Sequence, residues 1–280
     1  MPIATAGSGA LAPAVRLHQG TSRKRMFEHE GATRSHRHNQ ILAGYLAFVA
    51  GFVNSAGFIL IGSFTSHVTG NIGRFADDLA MGRSAAVFAA VMAIMFFAGA
   101  FTASMWIESN LVQRRAHVYG LLLLLEAALL AAFATLSYVI DTRNPRFHDV
   151  QAMLLCFAMG LQNSLVTRLS GAIVRTTHLT GVVTDLAIES ARWFRHWRGR
   201  LGARTQLRLV VGGVSSDEPQ APRTYLLITI VASFVGGSAL GALLVARLGQ
   251  AALLVPTVLL VVMASSALTT KRVLLLTRPV

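Results

Sequence analysis

Charged residues and cysteines are both scarce in this sequence. Only 13% of its 280 residues are charged and 54% are hydrophobic, whereas about a quarter of a soluble domain is charged. Acidic residues number 12, against 25 basic ones. The single cysteine, Cys156, lies within an apolar run, which excludes a disulfide framework. These shortages argue against both an ordinary soluble domain and a disulfide-rich secreted domain, and they indicate a membrane protein.

Sequence motifs of catalysis are also missing. The chain has no nucleotide-binding loop, no Cys–His pairing at a usable spacing and no His–Glu metal motif. We therefore expect a protein that is not an enzyme and that binds no cofactor or metal. Intramembrane enzymes are the class that this reasoning leaves open.

Long apolar runs are what the sequence has instead. A hydrocarbon core of about 30 Å requires about 20 apolar residues in a helix, and six runs reach that length. They are residues 41–62, 86–107, 118–140, 150–170, 223–246 and 251–270. The expected fold class is an all-α integral membrane protein with six transmembrane helices in one domain, residues 40–270. The segments outside the helices are a disordered basic tail (1–39), a cytoplasmic linker (199–222) and a C-terminal tail (271–280).

Basic residues are concentrated in the two tails and in alternate connections between the apolar runs. By the positive-inside rule, both termini are expected to be cytoplasmic. Trp193 and Trp197 lie four residues apart, interleaved with Arg192, Arg195 and Arg198. This pattern is typical of an amphipathic helix in the membrane plane that contacts anionic lipids at the cytoplasmic face. Binding of nucleic acid by the same run is the disfavoured alternative.

Two short motifs occur twice and in the same order. Gly51-Phe52-Val53-Asn54-Ser55 is echoed by Gly160-Leu161-Gln162-Asn163-Ser164, and Ser66-His67-Val68-Thr69-Gly70 by Thr177-His178-Leu179-Thr180-Gly181. The offsets are 109 residues (160 − 51) and 111 residues (178 − 67). A duplicated unit is the simplest explanation, with repeat 1 at about 41–140 and repeat 2 at about 150–270. Chance similarity among Gly- and Ser-rich helices is the alternative. With three spans per unit, the second repeat would be inverted relative to the first.

Each His-x-Thr-Gly motif is expected to begin a short helical stretch whose first N–H groups are free to bind an anion or a polar solute. Whether these stretches are re-entrant, interfacial or membrane-spanning stays open at the level of sequence. Polar residues of the repeated motifs are the candidate substrate-binding set, and inter-helix hydrogen bonding or helix capping is the alternative role. The set is Asn54, Ser55, His67, Thr69, Gly70, Asn71, Gln162, Asn163, Ser164, His178, Thr180 and Gly181.

Glu126 is the acidic residue that lies well inside a predicted span, between Leu121–Leu125 and Ala127–Leu130. A carboxylate at the centre of a membrane helix costs about 2.5–3.5 kcal/mol on insertion scales. Such a residue is a candidate for proton coupling. The alternative is a packing acid that is hydrogen-bonded to a neighbouring helix.

The run Gly51-Phe52-Val53-Asn54-Ser55-Ala56-Gly57-Phe58 with Ser66-His67-Val68-Thr69-Gly70-Asn71 resembles the YoaK-type family of uncharacterised bacterial multi-pass membrane proteins. A second signature, Met159–Ser164 followed by Arg175–Leu186, resembles the same family. The resemblance covers roughly residues 40–270. It implies a multi-pass fold in the bacterial inner (plasma) membrane and supplies no substrate. Family members commonly carry an acid where this chain has Asn54, which weakens a proton or cation role at that position.

The sequence therefore predicts a secondary transporter or channel for a small polar or anionic solute. The alternative is a membrane scaffold or assembly factor that binds lipids or a partner protein. The expected partners are the bilayer, anionic lipids and a small-molecule solute, without nucleic acid, and a homodimer is compatible with six spans.

Overall fold

A computed structural model describes residues 36–109, 115–139, 145–169, 179–201 and 220–276, and all regular structure in these ranges is helical. Most of the predicted tail 1–39, most of the linker 199–222 and part of the C-terminal tail 271–280 lie outside these ranges. Where the structure describes these segments, at 36–39, 199–201, 221–222 and 271–276, they belong to helices. The helices are α1 (His36–Ile61), α2 (Val68–Ala80), α3 (Ala85–Ser109), α4 (Arg115–Val139), α5 (Pro145–Leu169), α6 (Leu179–Leu201), α7 (Ala221–Leu248) and α8 (Leu254–Leu276).

Five helical segments of the described chain are long and apolar enough to cross a membrane. They are Gln40–Ile61, Ala85–Ser109, His117–Leu136, His148–Arg168 and Ala221–Thr269. The last of them is 49 residues long and contains α7 and α8 as far as Thr269. Neither α2 nor α6 is among these segments. The prediction of an all-helical membrane fold is confirmed at this level.

Glycines with positive φ mark several helix ends. Gly62 follows α1 with φ of 77°, Gly82 follows α2 with φ of 65°, and Gly249 follows α7 with φ of 58°. Residues with a Cβ rarely adopt these values, so glycine stops each helix at a defined position. A short 3-10 turn, Gly249–Leu253, then leads from α7 into α8.

Helices α1 and α7 pack in parallel. Gln40 donates a hydrogen bond to the Thr229 hydroxyl at 2.9 Å, and the Ser238 hydroxyl donates to the carbonyl of Gly51 at 3.1 Å. Residue numbers therefore rise together along both helices, which means that α1 and α7 run in the same direction.

Helices α3 and α5 pack in the same way. The hydroxyls of Ser104 and Ser164 are hydrogen-bonded at 2.8 Å. One turn further along both helices, Arg168 forms an ion pair with Glu108. This pair of helices is therefore also parallel.

Four glycines allow these two pairs to approach closely. A Cβ added at Gly51 would collide with the Phe234 carbonyl, and one at Gly237 would collide with the Phe48 carbonyl. The second pair repeats this reciprocal arrangement, with Gly99 against the Phe157 carbonyl and Gly160 against the Phe96 carbonyl. Small residues at such positions bring helix backbones together in membrane proteins. Each of the four glycines ends a Phe-x-x-Gly sequence.

The remaining helices complete a bundle in which the two halves of the chain make matching contacts. Gly120, near the start of α4, lies against Leu268 near the end of α8, and the 3-10 turn before α8 also contacts α4. Helices α4 and α8 are therefore antiparallel. Helix α2 packs on α3, and α6 packs on α7. If α1, α2, α3 and α4 correspond to α5, α6, α7 and α8, the contact between α1 and α7 corresponds to the contact between α5 and α3. In the same way, the contact between α2 and α3 corresponds to the contact between α6 and α7.

Candidate functional site

The connection between α1 and α2 folds back along α1. The backbone N–H and the hydroxyl of Ser66 both donate to Asn54 Oδ1, at 3.3 and 3.0 Å. Asn54 precedes the last residue of α1, Ile61, by seven positions (61 − 54), which is about 10 Å along a helix. The sequence-predicted Asn54 therefore fixes a returning loop, and its Oδ1 has two donors.

Two further contacts hold this loop. Arg74 of α2 donates to the Ser63 hydroxyl at 2.9 Å. The Thr65 side chain is buried against Gly57, where an added Cβ would lie 2.9 Å from Thr65 Cγ2. The Thr65 hydroxyl has no hydrogen-bond partner within the described part of the chain. The loop is thus anchored to α1 and α2 by polar side chains.

Helix α2 begins directly after His67, as the His-x-Thr-Gly motif predicts. No side chain caps its first turn, and the His67 imidazole lies against Gly70 so closely that a Cβ there would collide with it. His67 and Thr69 are exposed, whereas Asn71 is buried. The first motif therefore has two exposed residues, His67 and Thr69, and is followed by one buried residue, Asn71.

The polar residues of the second repeat contact different helices. Gln162 is fully buried in α5 and donates from Nε2 to the Leu46 carbonyl of α1 at 3.4 Å. Ser164 is bonded to Ser104 of α3. Asn163 is partly buried, as is Ser55 in repeat 1. The structure thus brings Gln162 to α1 and Ser164 to α3.

At the start of α6, Thr180 and Gly181 are exposed. The Thr184 hydroxyl donates to the Thr180 carbonyl at 2.9 Å. His178 lies outside the described residues, so its predicted role stays a prediction.

Glu126 is at the centre of its apolar segment, nine residues after His117 and ten before Leu136. Its side chain is 0% exposed. Neither carboxyl oxygen has a hydrogen-bond partner among the described residues. This is the environment that makes an acid expensive in a membrane protein.

Sequence reasoning missed two buried acids, Asp78 of α2 and Glu189 of α6. Asp78 pairs with Arg83 at 3.5 Å, and Glu189 pairs with Arg192 at 2.7 Å and approaches Arg223 at 3.9 Å. The positions differ by 111 residues (189 − 78), the offset of the His-x-Thr-Gly motifs. That offset could have identified them, because it aligns an acid with an acid on two amphipathic helices.

No group of three or more potential metal-ligating side chains (His, Cys, Asp or Glu) is present within the described ranges. Long apolar helices that bury amide and carboxyl side chains define the class, a multi-pass helical membrane protein.

A family model described as "Protein of unknown function (DUF1275)" matches residues 42–266, which is more than half of the chain. The chain therefore belongs to this family, and the resemblance to the YoaK-type proteins is confirmed. No curated protein and no solved structure matches the chain at a significant level.

Proposed function

We propose that the protein is a secondary transporter or channel for a small polar solute, without enzymatic activity, built from six crossings in two inverted three-helix repeats. We assign it to the bacterial inner membrane with both termini in the cytoplasm. Four arguments support the proposal, and the parallel packing of α1 and α7 carries it.

The parallel pair constrains the number of crossings. Because α1 and α7 run the same way, the chain must cross the bilayer an odd number of times between them. Helices α3, α4 and α5 supply three crossings, so α2 and α6 cross either together or not at all. Helix α2 has 13 residues, which is about 20 Å and shorter than a hydrocarbon core of about 30 Å. Neither helix then crosses, and both belong at a membrane face.

The 49-residue apolar segment contributes two crossings. A straight helix of that length would measure about 74 Å, more than twice the hydrocarbon thickness, and Gly249 interrupts it with a positive φ. Helix α8 is antiparallel to α4, while α7 is parallel to α1. The directions of all six long helices are consistent with alternating crossings.

These helix directions support an inverted repeat. Helix α1 and its equivalent α5 cross in opposite senses, as do α3 and α7. The reciprocal glycine contacts occur in both of the corresponding helix pairs, α1 with α7 and α3 with α5. Inverted repeats of this kind place the substrate site near the midplane and allow rigid-body exchange between two access states.

Amide and hydroxyl groups within the spans are the candidate solute ligands. Asn54, Ser55, Gln162, Asn163 and Ser164 come from α1 and α5, the equivalent first helices of the two repeats, and these helices contact each other. Uncharged groups suit a small polar solute because they bind it by hydrogen bonds without a large desolvation penalty.

Proteoliposomes of the purified full chain test the function. They are assayed with a panel of amines, amino acids, monosaccharides and carboxylates. We expect uptake of one class, reduced at least tenfold by Asn163→Leu and unchanged by Thr135→Leu. Thr135 is the matched control because it is exposed on α4 and, among the described residues, its hydroxyl donates to backbone carbonyls of its own helix, those of Ala131 and Ala132. Uptake that Asn163→Leu leaves intact contradicts the assigned site.

A scaffold or assembly role is the second candidate, and the surface of α6 favours it. Trp193, Phe194 and Trp197 are exposed there, and Arg198 lies over the Phe194 ring. Such a face can bind anionic lipid or a partner protein. Folded protein that moves no solute and co-purifies with one stable partner would support this candidate over the transporter.

A further inference from the structure

The buried charges of the bundle all have one sign. Asp78, Glu126 and Glu189 are the buried charged residues within the described ranges, and no lysine or arginine there is buried. The whole chain nevertheless carries 25 basic and 12 acidic residues. The buried charge of the described residues is therefore acidic, although the chain as a whole is basic.

Glu126 differs from the other two buried acids. Asp78 and Glu189 lie on the amphipathic helices and have arginine partners, Arg83 and Arg192. Glu126 lies at mid-span, is 0% exposed and has no hydrogen-bond partner for either oxygen within the described residues. A buried carboxyl group needs a counter-charge or a proton, and the described chain supplies no basic side chain for it.

A second unsatisfied acceptor lies on the neighbouring helix α5, which packs against α4. Gln162 Nε2 donates to the Leu46 carbonyl, which fixes the orientation of the amide because a carbonyl accepts only from the N–H₂ side. The Oε1 atom then remains without a donor. Gln162 Oε1 and the Glu126 carboxyl group are therefore two buried acceptors, on helices that contact each other, that have no donor within the described residues.

We infer that the solute is a small ammonium-type cation and that Glu126 is its counter-charge, an inference that rests on the proposed transport function. An anion would add a like charge and further acceptors to an interior that already has too many of both. An ammonium group supplies a positive charge and several N–H donors. Hard metal cations such as Ca²⁺ take six or more oxygen ligands, more than the two unsatisfied carboxyl oxygens that Glu126 offers. The predicted anionic solute is thereby disfavoured.

The anchoring of the flanking acids is consistent with this assignment. Asp78 and Glu189 are held by arginines near opposite ends of the proposed pathway, so their charges are compensated and do not retain a passing cation. Glu126 alone keeps an uncompensated carboxyl group for the solute.

Charge-displacement recording on proteoliposomes adsorbed to a solid-supported membrane provides the test. The full chain is exposed to concentration jumps of ammonium, methylammonium, Na⁺ and, at constant cation, chloride and phosphate. We expect saturable currents with ammonium and methylammonium only. Glu126→Gln should reduce them at least tenfold, and Glu108→Gln should leave them unchanged, because Glu108 is an exposed acid at the end of α3.

The outcomes separate this inference from the function on which it rests. Currents from anions or from Na⁺ alone, or ammonium currents that survive Glu126→Gln, would overturn the ammonium assignment while the transport function stands. The absence of current and of uptake for every solute in folded protein would overturn both. Elution as a single species and an unchanged melting temperature establish that Glu126→Gln is folded.

Discussion

Gly237 of α7 lies directly against the backbone carbonyl of Phe48 in α1. The same contact occurs in reverse between Gly51 and Phe234, and again between Gly99 and Phe157 and between Gly160 and Phe96. Close backbone approach thus occurs at positions that the proposed repeat makes equivalent. The two parallel helix pairs thus form the frame on which the polar residues are placed.

The glycine contact predicts that alanine substitutions at two neighbouring glycines, Gly236 and Gly237, differ in their effect on stability. Gly237→Ala should lower the free energy of unfolding by about 1–3 kcal/mol, because its Cβ would overlap the Phe48 carbonyl. Gly236→Ala should be neutral or slightly stabilising, since no atom lies within 4 Å of its Cβ position. Thermal unfolding in detergent, followed by the monodisperse fraction, compares the two variants. Equal melting temperatures would contradict the close packing of α1 and α7.

The inverted topology predicts that equivalent residues face opposite sides of the membrane. Thr69 and Thr180 are both exposed and lie 111 residues apart (180 − 69) in the two His-x-Thr-Gly motifs. Single cysteines at these positions, in a Cys156→Ala background, should react with a membrane-impermeant maleimide from opposite faces in intact cells. Cys156 is the single cysteine of the sequence. Its replacement therefore leaves the introduced cysteine as the residue that the maleimide labels. Labelling of both sites from one face would exclude the inverted repeat.

The ion pairs of α6 predict a structural role for Glu189. Glu189→Gln should lower the free energy of unfolding by about 1–3 kcal/mol, because the neutral side chain no longer pairs with Arg192 in a site where the acid is 1% exposed. Asp77→Asn is the control, since Asp77 is an exposed acid on the equivalent helix α2. Unfolding in detergent provides the measurement. A Glu189 variant as stable as the Asp77 variant would show that the buried ion pair does not contribute to the free energy of unfolding.

The position of α6 can be measured by fluorescence. The chain has three tryptophans, and Trp106→Phe leaves Trp193 and Trp197. Trp193 donates to the Thr224 hydroxyl at 3.1 Å, close to the start of α7, which puts it at the level where a span begins. Lipids brominated near the headgroup should therefore quench the emission more than lipids brominated deep in the chain. Stronger quenching by the deep bromines would indicate that α6 crosses the membrane.

The sequence-based expectations for particular residues have different outcomes in the structure. The helix start after His67 was predictable because a Thr-Gly pair with a preceding polar residue marks a first turn. The bond between Ser66 and Asn54 was not, because a loop of this length can lie over the membrane face or return along its helix. The burial of Asp78 and Glu189 was within reach, since the repeat offset aligns them. Arg192 lies on α6 itself, whereas Arg83 follows the end of α2 and Arg223 belongs to α7.

The apolar lengths and the repeat were determined by the sequence itself. A helix in lipid must satisfy its own backbone groups and span about 30 Å, so composition along the chain is enough to locate the long helices. Tertiary structure alone decided which helices pair, because a glycine permits a close approach without specifying its partner. It also decided that Glu126 and the Oε1 atom of Gln162 have no donor among the described residues, since the hydrogen bonding of a buried polar group depends on the side chains of every neighbouring helix.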